Sequence, residues 1–363
     1  KKVSTPFEEF LHAQTTTGLI LIVMTIIALV LANTSLYETY AHFFHINIDF
    51  NVGSWALSHS LHHWINDGLM AIFFFLIGLE IKREITAGEL SNLKVAILPI
   101  LAAIGGMVFP ALIYTSLNYG TVGSAGWGIP MATDIAFAIS ALVLLGKRVP
   151  TALVTFLVAL AIVDDLGAVI VIALFYTDTI NLMSLGLAGL MFSFMLVFNR
   201  LGIHMLLPYF IVGLSMWFFM LESGVHATIA GVLAALAIPS TPKRVPSTLT
   251  KKAKKLLDEY EQYPVNENYQ IHEEQKRILS EIKHKIYEVE TPAARLEHNL
   301  HLPVALIIIP IFALANAGIK IDFSSIGTTI VEPVSLGIIL GLIFGKVIGI
   351  FGVSYVAVKL KIA

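Results

Sequence analysis

Thr151–Tyr176 reads TALVTFLVALAIVDDLGAVIVIALFY, an apolar run with two adjacent carboxylates, Asp164 and Asp165, at its middle. About 20 residues rising 1.5 Å each cover a bilayer core of roughly 30 Å, so a run this long crosses a membrane. Placing one acid at that depth costs on the order of 3 kcal/mol, and a pair at the centre therefore points to a function. Adjacent helix residues diverge by about 100°, so the two acids cannot share a face; one can meet a partner helix while the other meets water or an ion. A structural ion pair is the alternative.

The rest of the chain agrees. Its 363 residues are 56% hydrophobic and 13% charged, where a soluble domain carries about 25% charged residues. The expected class is an all-α polytopic membrane protein. No nucleic-acid partner is expected at a formal net charge of −2. The absence of cysteine removes disulfides, thiolate metal sites and cysteine nucleophiles. Lys1–Gln14 is polar and holds Glu8 and Glu9, unlike a cleaved signal peptide, and a start without Met points to a trimmed end.

Ten membrane segments are expected, near Thr17–Asn33, His62–Lys82, Val95–Leu117, Gly126–Leu145, Thr151–Tyr176, Met183–Phe198, Met205–Met220, Val225–Ile238, Pro303–Ala317 and Pro333–Val358. Between the first two, His45–Ser54 alternates apolar and polar residues, which predicts a short β-ribbon. Lys82, Arg83, Lys147, Arg148, Arg200, Lys243, Arg244 and Lys359 fall in loops on one side and Lys320 alone on the other. The positive-inside rule then places both ends in the cytoplasm. Ser240–Ala294 has no spanning run; Ile278, Ile282 and Ile286 recur every four residues, which predicts one amphipathic helix, with another across Lys251–Gln262. The chain thus divides into transmembrane segments one to eight (1–239), a cytoplasmic mixed-charge helical insert (240–294) and segments nine and ten (295–363).

The fourth segment is interrupted. In WGIPMATDIAFA, Gly128 and Pro130 stand just ahead of Thr133 and Asp134. Proline removes an amide donor and glycine weakens the turn, and such breaks survive in a membrane only where freed backbone is buried or lines a polar cavity. Freed carbonyls and half-helix ends suit a small cation. Lys346, in IFGKVIGIFG, sits too deep in the tenth segment to snorkel to the surface. It needs a carboxylate, and Asp134, Asp164 and Asp165 lie at similar depth. One lysine against three acids leaves surplus negative charge, which suits a cation site or a proton relay. GLEIKRE supplies Glu80, Arg83 and Glu84 at a membrane edge, and Glu297, His298 and His301 open the ninth segment. Two histidines are a weak metal site; as groups that titrate near neutrality they suit a pH-responsive mouth. His59, His62 and His63 read as interfacial.

MATDIAFA, ALAIVDDLGAVIVIALFY, FFLIGLEIKRE, GVHATIAG, RLEHNLH and the lysine in FGK together resemble the NhaA-type bacterial sodium/proton antiporters, over almost the whole chain outside the insert. The resemblance implies an inverted-repeat bundle with broken helices in a bacterial inner membrane. It implies electrogenic, pH-regulated exchange of cytoplasmic Na⁺ or Li⁺ for periplasmic H⁺, by a transporter and not an enzyme, with no cofactor. Carried onto matching positions, Asp164 and Asp165 bind the cation and proton, Thr133 and Asp134 lie where broken helices cross, and Lys346 is the membrane lysine. Glu80, Arg83, Glu84, His226, Glu297, His298 and His301 match positions linked to pH response, and Asp67 matches an acid at the outer part of the second helix. The ribbon at 45–54 resembles the family's dimer-forming hairpin.

In two respects the chain departs from the pattern. The 240–294 insert is longer than typical, and the family has two helices beyond the lysine helix, one of them the second broken helix, whereas this sequence stops at Ala363. Exchange is therefore expected of the full-length protein and not of this stretch alone. An intramembrane aspartyl protease using Asp134 and Asp165 would have no use for a central lysine, and a cation channel would show no proton counterflow.

Overall fold

The computed structural model describes residues 6–52, 55–133, 142, 149–177, 180–243, 246–263 and 272–362. α1 (Pro6–Ala32) is followed by the short α2 (Tyr37–His45), bent from it by 113°. A β-ribbon follows, with β1 (Asn47–Val52) antiparallel to β2 (Trp55–Ser60) and Asn47 opposite Ser60. The ribbon was expected over His45–Ser54; its second strand runs on to Ser60 and carries His59. Ser60 then caps α3 (Leu61–Thr86) by accepting from the His63 amide at 3.2 Å.

Next come α4 (Leu93–Asn118), a 3₁₀-helical stretch (Val122–Met131), α5 (Thr151–Phe175), α6 (Leu182–Arg200), α7 (Leu206–Glu222) and α8 (Thr228–Ala237). α9 (Pro246–Glu261) and α10 (Glu273–Val289) form the insert, and α11 (Pro292–Asn316), α12 (Ile326–Val331) and α13 (Pro333–Lys359) complete the chain. Among the described residues six helices are long and apolar enough to cross a membrane, or seven if the bent α1–α2 pair counts as one span. α8, with 10 residues, is too short to cross alone. Of the expected fourth segment the part beyond Thr133, including Asp134, lies outside the described residues apart from Leu142.

Side-chain size decides how these helices meet. In lipid there is little hydrophobic drive between helices, so small residues that let backbones approach do much of the sorting. α3 crosses α8 where a Cβ on Gly78 would sit 2.7 Å from the Ala235 Cβ. Lys82 then donates to the Leu236 carbonyl at 2.7 Å and to that of Ile238, satisfying the exposed carbonyls at the C-terminal end of α8. α13 crosses α4 in the same way, with Gly105 against Gly349 and Gly345 against the Pro110 backbone. Two of the four packing centres among the described residues lie at these crossings. One joins α3, α6, α7 and α8 around Leu79, Met195, Tyr209 and Met216; the other joins α4, α5 and α13 around Ala102, Ala103 and Leu160. Leu207, Phe210, Ile211, Phe344, Val347 and Phe351 are exposed, as side chains facing lipid would be.

Among the described residues three helices carry a π turn, at Trp64–Leu69 in α3, Val304–Ile308 in α11 and Gly341–Gly345 in α13. In the insert both amphipathic helices form and pack on one another. Their apolar period is only partly covered: Ile278 is buried, whereas Ile286, expected on the same face, is exposed. The Arg295 guanidinium lies 3.6 Å over the Tyr287 ring and fastens the insert to the start of α11.

Candidate functional site

α5 runs unbroken from its start after Pro150 and delivers Asp164 to the middle of the bundle, 2% exposed. Its Oδ2 accepts from Lys346 Nζ at 2.7 Å and from Thr133 Oγ1 at 2.6 Å. The Lys346 side chain is 12% exposed and begins the regular part of α13 just beyond the Gly341–Gly345 π turn. Among the described residues it is Asp164 that the lysine reaches; Asp134 lies outside them. Asp164 Oδ1 is buried and has no hydrogen-bond partner among the described residues. Asp165 is half-buried on a different face of α5, as the helical turn requires. A buried carboxylate paired with one ammonium is neutral as a unit, and Asp165 is the second negative charge beside it.

Thr133 reaches Asp164 because the chain ahead of it is not α-helical. Val122–Met131 is 3₁₀, and Ala132 is extended (φ −63°, ψ 145°). Tyr114 Oη donates to the Gly123 carbonyl at 2.7 Å, and Tyr176, at the end of α5, bonds to Gly128 and Ala125. Neither tyrosine was singled out from sequence.

Where α3 ends and α11 begins, Arg83 pairs with Glu297, and with Glu84 at 3.1 Å. Glu80, about a turn earlier, lies in Coulombic range of Glu297, Arg83, Glu84 and Asp165, and His301 in range of His298 and Arg83. Residues more than 200 positions apart thus gather at one mouth, with an acid between that mouth and the carboxylate pair. His226 stands apart, with Nε2 3.1 Å from the Tyr176 carbonyl at the opposite end of the molecule. At that end too, Asp67 pairs with His63 at 3.3 Å and the Trp217 indole donates to the Asp67 carbonyl. The His59 ring stacks on His63 with centroids 4.1 Å apart. Partial burial, and then His63, lower the His59 pKa, so it stays neutral to more acid pH than a free imidazole. Among the described residues no three His, Asp or Glu side chains converge as ligands for a resident metal.

A family profile described as Na⁺/H⁺ antiporter 1 matches residues 8–363. An Na⁺/H⁺ antiporter NhaA from Sulfurimonas denitrificans is 66% identical over 363 residues, all of this chain and 82% of that protein. An Na⁺/H⁺ antiporter NhaA 1 from Saccharophagus degradans is 48% identical over 99% of this chain and 77% of its own length. One from Dichelobacter nodosus is 46% identical over 100% and 78%.

Proposed function

This chain belongs to the Na⁺/H⁺ antiporter 1 family, and from that premise we propose that Asp164, Asp165, Thr133 and Lys346 form the site at which its two ions compete. The protein is a multi-pass membrane transporter that exchanges Na⁺ for H⁺, not an enzyme. One observation carries the assignment of the site: Asp164 shares Oδ2 between Lys346 and Thr133 while Oδ1 has no partner among the described residues. Hard oxygen ligands suit Na⁺ or Li⁺, and the Asp164 and Asp165 carboxylates with the Thr133 hydroxyl supply them. A cation at Asp164 competes with the Lys346 ammonium for the same oxygens. Protons arriving from the other side of the membrane neutralise the carboxylates and expel the cation, so the site carries one ion or the other. Asp134, beside Thr133 in sequence, is assigned to the same polar region.

In reconstituted full-length protein an imposed Na⁺ gradient should drive pH change inside the vesicle, and K⁺ should not replace Na⁺. Na⁺ flux without proton movement would instead describe a channel.

We assign the protein to a bacterial inner membrane, with the Arg83–Glu297 mouth and the 240–294 insert in the cytoplasm, and the ribbon to an outer dimer contact. The bias of basic residues supports the orientation; the exposed ribbon edge supports the contact. In the full-length protein with any cysteine outside these residues replaced, Asn47→Cys tests both. It should react with an impermeant maleimide from outside intact cells and give a disulfide-linked dimer under oxidation. Monomer alone refutes the contact, and labelling only after lysis reverses the orientation.

The mouth cluster is assigned to pH control. Charges from both elements face one another there: Glu80, Arg83 and Glu84 from α3, Glu297, His298 and His301 from α11, while Lys82 beside them turns to the Leu236 and Ile238 carbonyls of α8. Glu297→Gln removes a negative charge, so neighbouring groups release protons more readily and activity should begin at lower pH. The Arg83 side chain is 54% exposed, so the pair is partly screened and the expected shift is a few tenths of a unit to about one unit. Maximal rate at high pH should persist. An unmoved pH profile would leave the cluster as a helix anchor.

A further inference from the structure

We propose that Tyr176 is a positioning residue for the ion site, a strap that holds the 3₁₀ stretch so that Thr133 reaches Asp164. The proposal rests on the reading of Asp164 and Thr133 as cation ligands given above, and it assigns a role to a side chain outside that site.

Val122–Met131 is a 10-residue 3₁₀ helix, a form with poorer hydrogen bonds than an α-helix and seldom so long. Its own backbone therefore fixes its position weakly. Anchors come from outside. The Gly128 amide donates to Tyr176 Oη at 2.8 Å, and that hydroxyl donates in turn to the Ala125 carbonyl at 2.9 Å. One phenol thus satisfies a donor and an acceptor of the same turn, using both capacities of its hydroxyl. The Trp127 ring packs on Phe175 and Tyr176, with centroids 5.1 and 6.1 Å away. Gly128 is small for a reason: a Cβ there would lie 2.7 Å from Tyr176 Oη.

The strap starts on the helix that carries the site. Tyr176 follows Asp164 by 12 residues on α5, roughly 18 Å along the axis. The stretch strapped at Gly128 returns to Thr133, whose hydroxyl meets Asp164 Oδ2 at 2.6 Å. Both ends of this closed path are thus on α5, and the bundle need not be rigid elsewhere for Thr133 to stay in register with Asp164. The backbone of Tyr176 is itself held, with its carbonyl 3.1 Å from His226 Nε2. That contact gives His226, far from the Arg83–Glu297 mouth, a route to the site.

The test is Na⁺ dependence of antiport in membrane vesicles carrying the full-length protein. Thr133→Ala should raise the apparent KM for Na⁺. Tyr176→Phe keeps the ring on Trp127 and removes both hydroxyl bonds; it should raise the KM about three- to tenfold, the range expected for one or two lost hydrogen bonds, with maximal rate within about twofold of wild type. The double variant should be no worse than Thr133→Ala alone, because Tyr176 acts through Thr133. A merely structural tyrosine would lower the amount of protein or the maximal rate and leave the KM alone, or its effect would add to that of Thr133→Ala; either result overturns the strap. Should Tyr176→Phe fail to accumulate, Gly128→Ala perturbs the same contact from the other side, with the same expected KM rise and the same non-additivity. An unaltered KM in Thr133→Ala overturns the ion-site reading and the strap with it, whereas a raised KM there with an unaltered one in Tyr176→Phe overturns the strap alone.

Discussion

Asp165→Asn should abolish Na⁺-driven proton movement and Na⁺ binding together. The substitution keeps the shape of a half-buried side chain and removes its negative charge. Deleting a charged partner costs roughly 3 kcal/mol, about a hundredfold in affinity, so saturation with Na⁺ should be out of reach at ordinary concentrations. The proton has no acceptor at that position either, so raising Na⁺ should not restore exchange. Isothermal calorimetry on purified protein, with vesicle assays beside it, measures the two losses separately. A variant that still binds Na⁺ but moves no protons would split the ions between different groups and end the competition model.

Lys346→Ala has the other large effect. Its ammonium holds Asp164, 2% exposed, at 2.7 Å, and breaking a buried pair from one side typically costs about 3–5 kcal/mol because the remaining charge is left uncompensated. Two outcomes are open to the protein. It unfolds more easily, read as a lower midpoint in a thermal shift assay in detergent, or Asp164 takes up a proton and the fold survives. In the surviving case the cycle loses one mobile charge. When Na⁺ takes Asp164 from Lys346 in the wild type, the lysine has no other described acid at hydrogen-bond distance and can release a proton, giving a second proton per cation. The variant should then exchange ions with little dependence on membrane potential. A stable and fully voltage-sensitive Lys346→Ala protein would make the lysine structural.

Much of this site was legible because charge in an apolar run is conspicuous. Asp164, Asp165 and Lys346 each interrupt a stretch long enough to cross a membrane, and insertion energetics alone mark them. Gly128 and Pro130 likewise announce the break that precedes Thr133. The pairing was not legible: three acids at similar depth satisfy the lysine equally well on paper, and only the α4–α13 crossing at Gly105 and Gly349 aims it at Asp164. The extent of β2 escaped notice because WALSHS places just two large apolar residues, Trp55 and Leu57, beside two serines and one histidine, too few for a period. Ile286 shows the reverse error, since periodicity tells which residues share a face and not whether anything covers it. Tyr176 carries no signal of its own, because a tyrosine at the end of a membrane helix is what the interface ordinarily selects.

The π turns bear on how this gene can change length. A π turn is a helix that has absorbed one surplus residue locally, while the regular turns on either side keep their headings. Losing a codon within Gly341–Gly345 would iron out the wide turn and leave Lys346 pointing as before, whereas a codon lost between Asp164 and Tyr176, where α5 has no such slack, would swing everything beyond it by about 100°. Among the described residues the helices therefore have three tolerant joints, at Trp64–Leu69, Val304–Ile308 and Gly341–Gly345. A scan of single-codon deletions along the reading frame should find its survivors there, and its null alleles along the helix that carries the two aspartates.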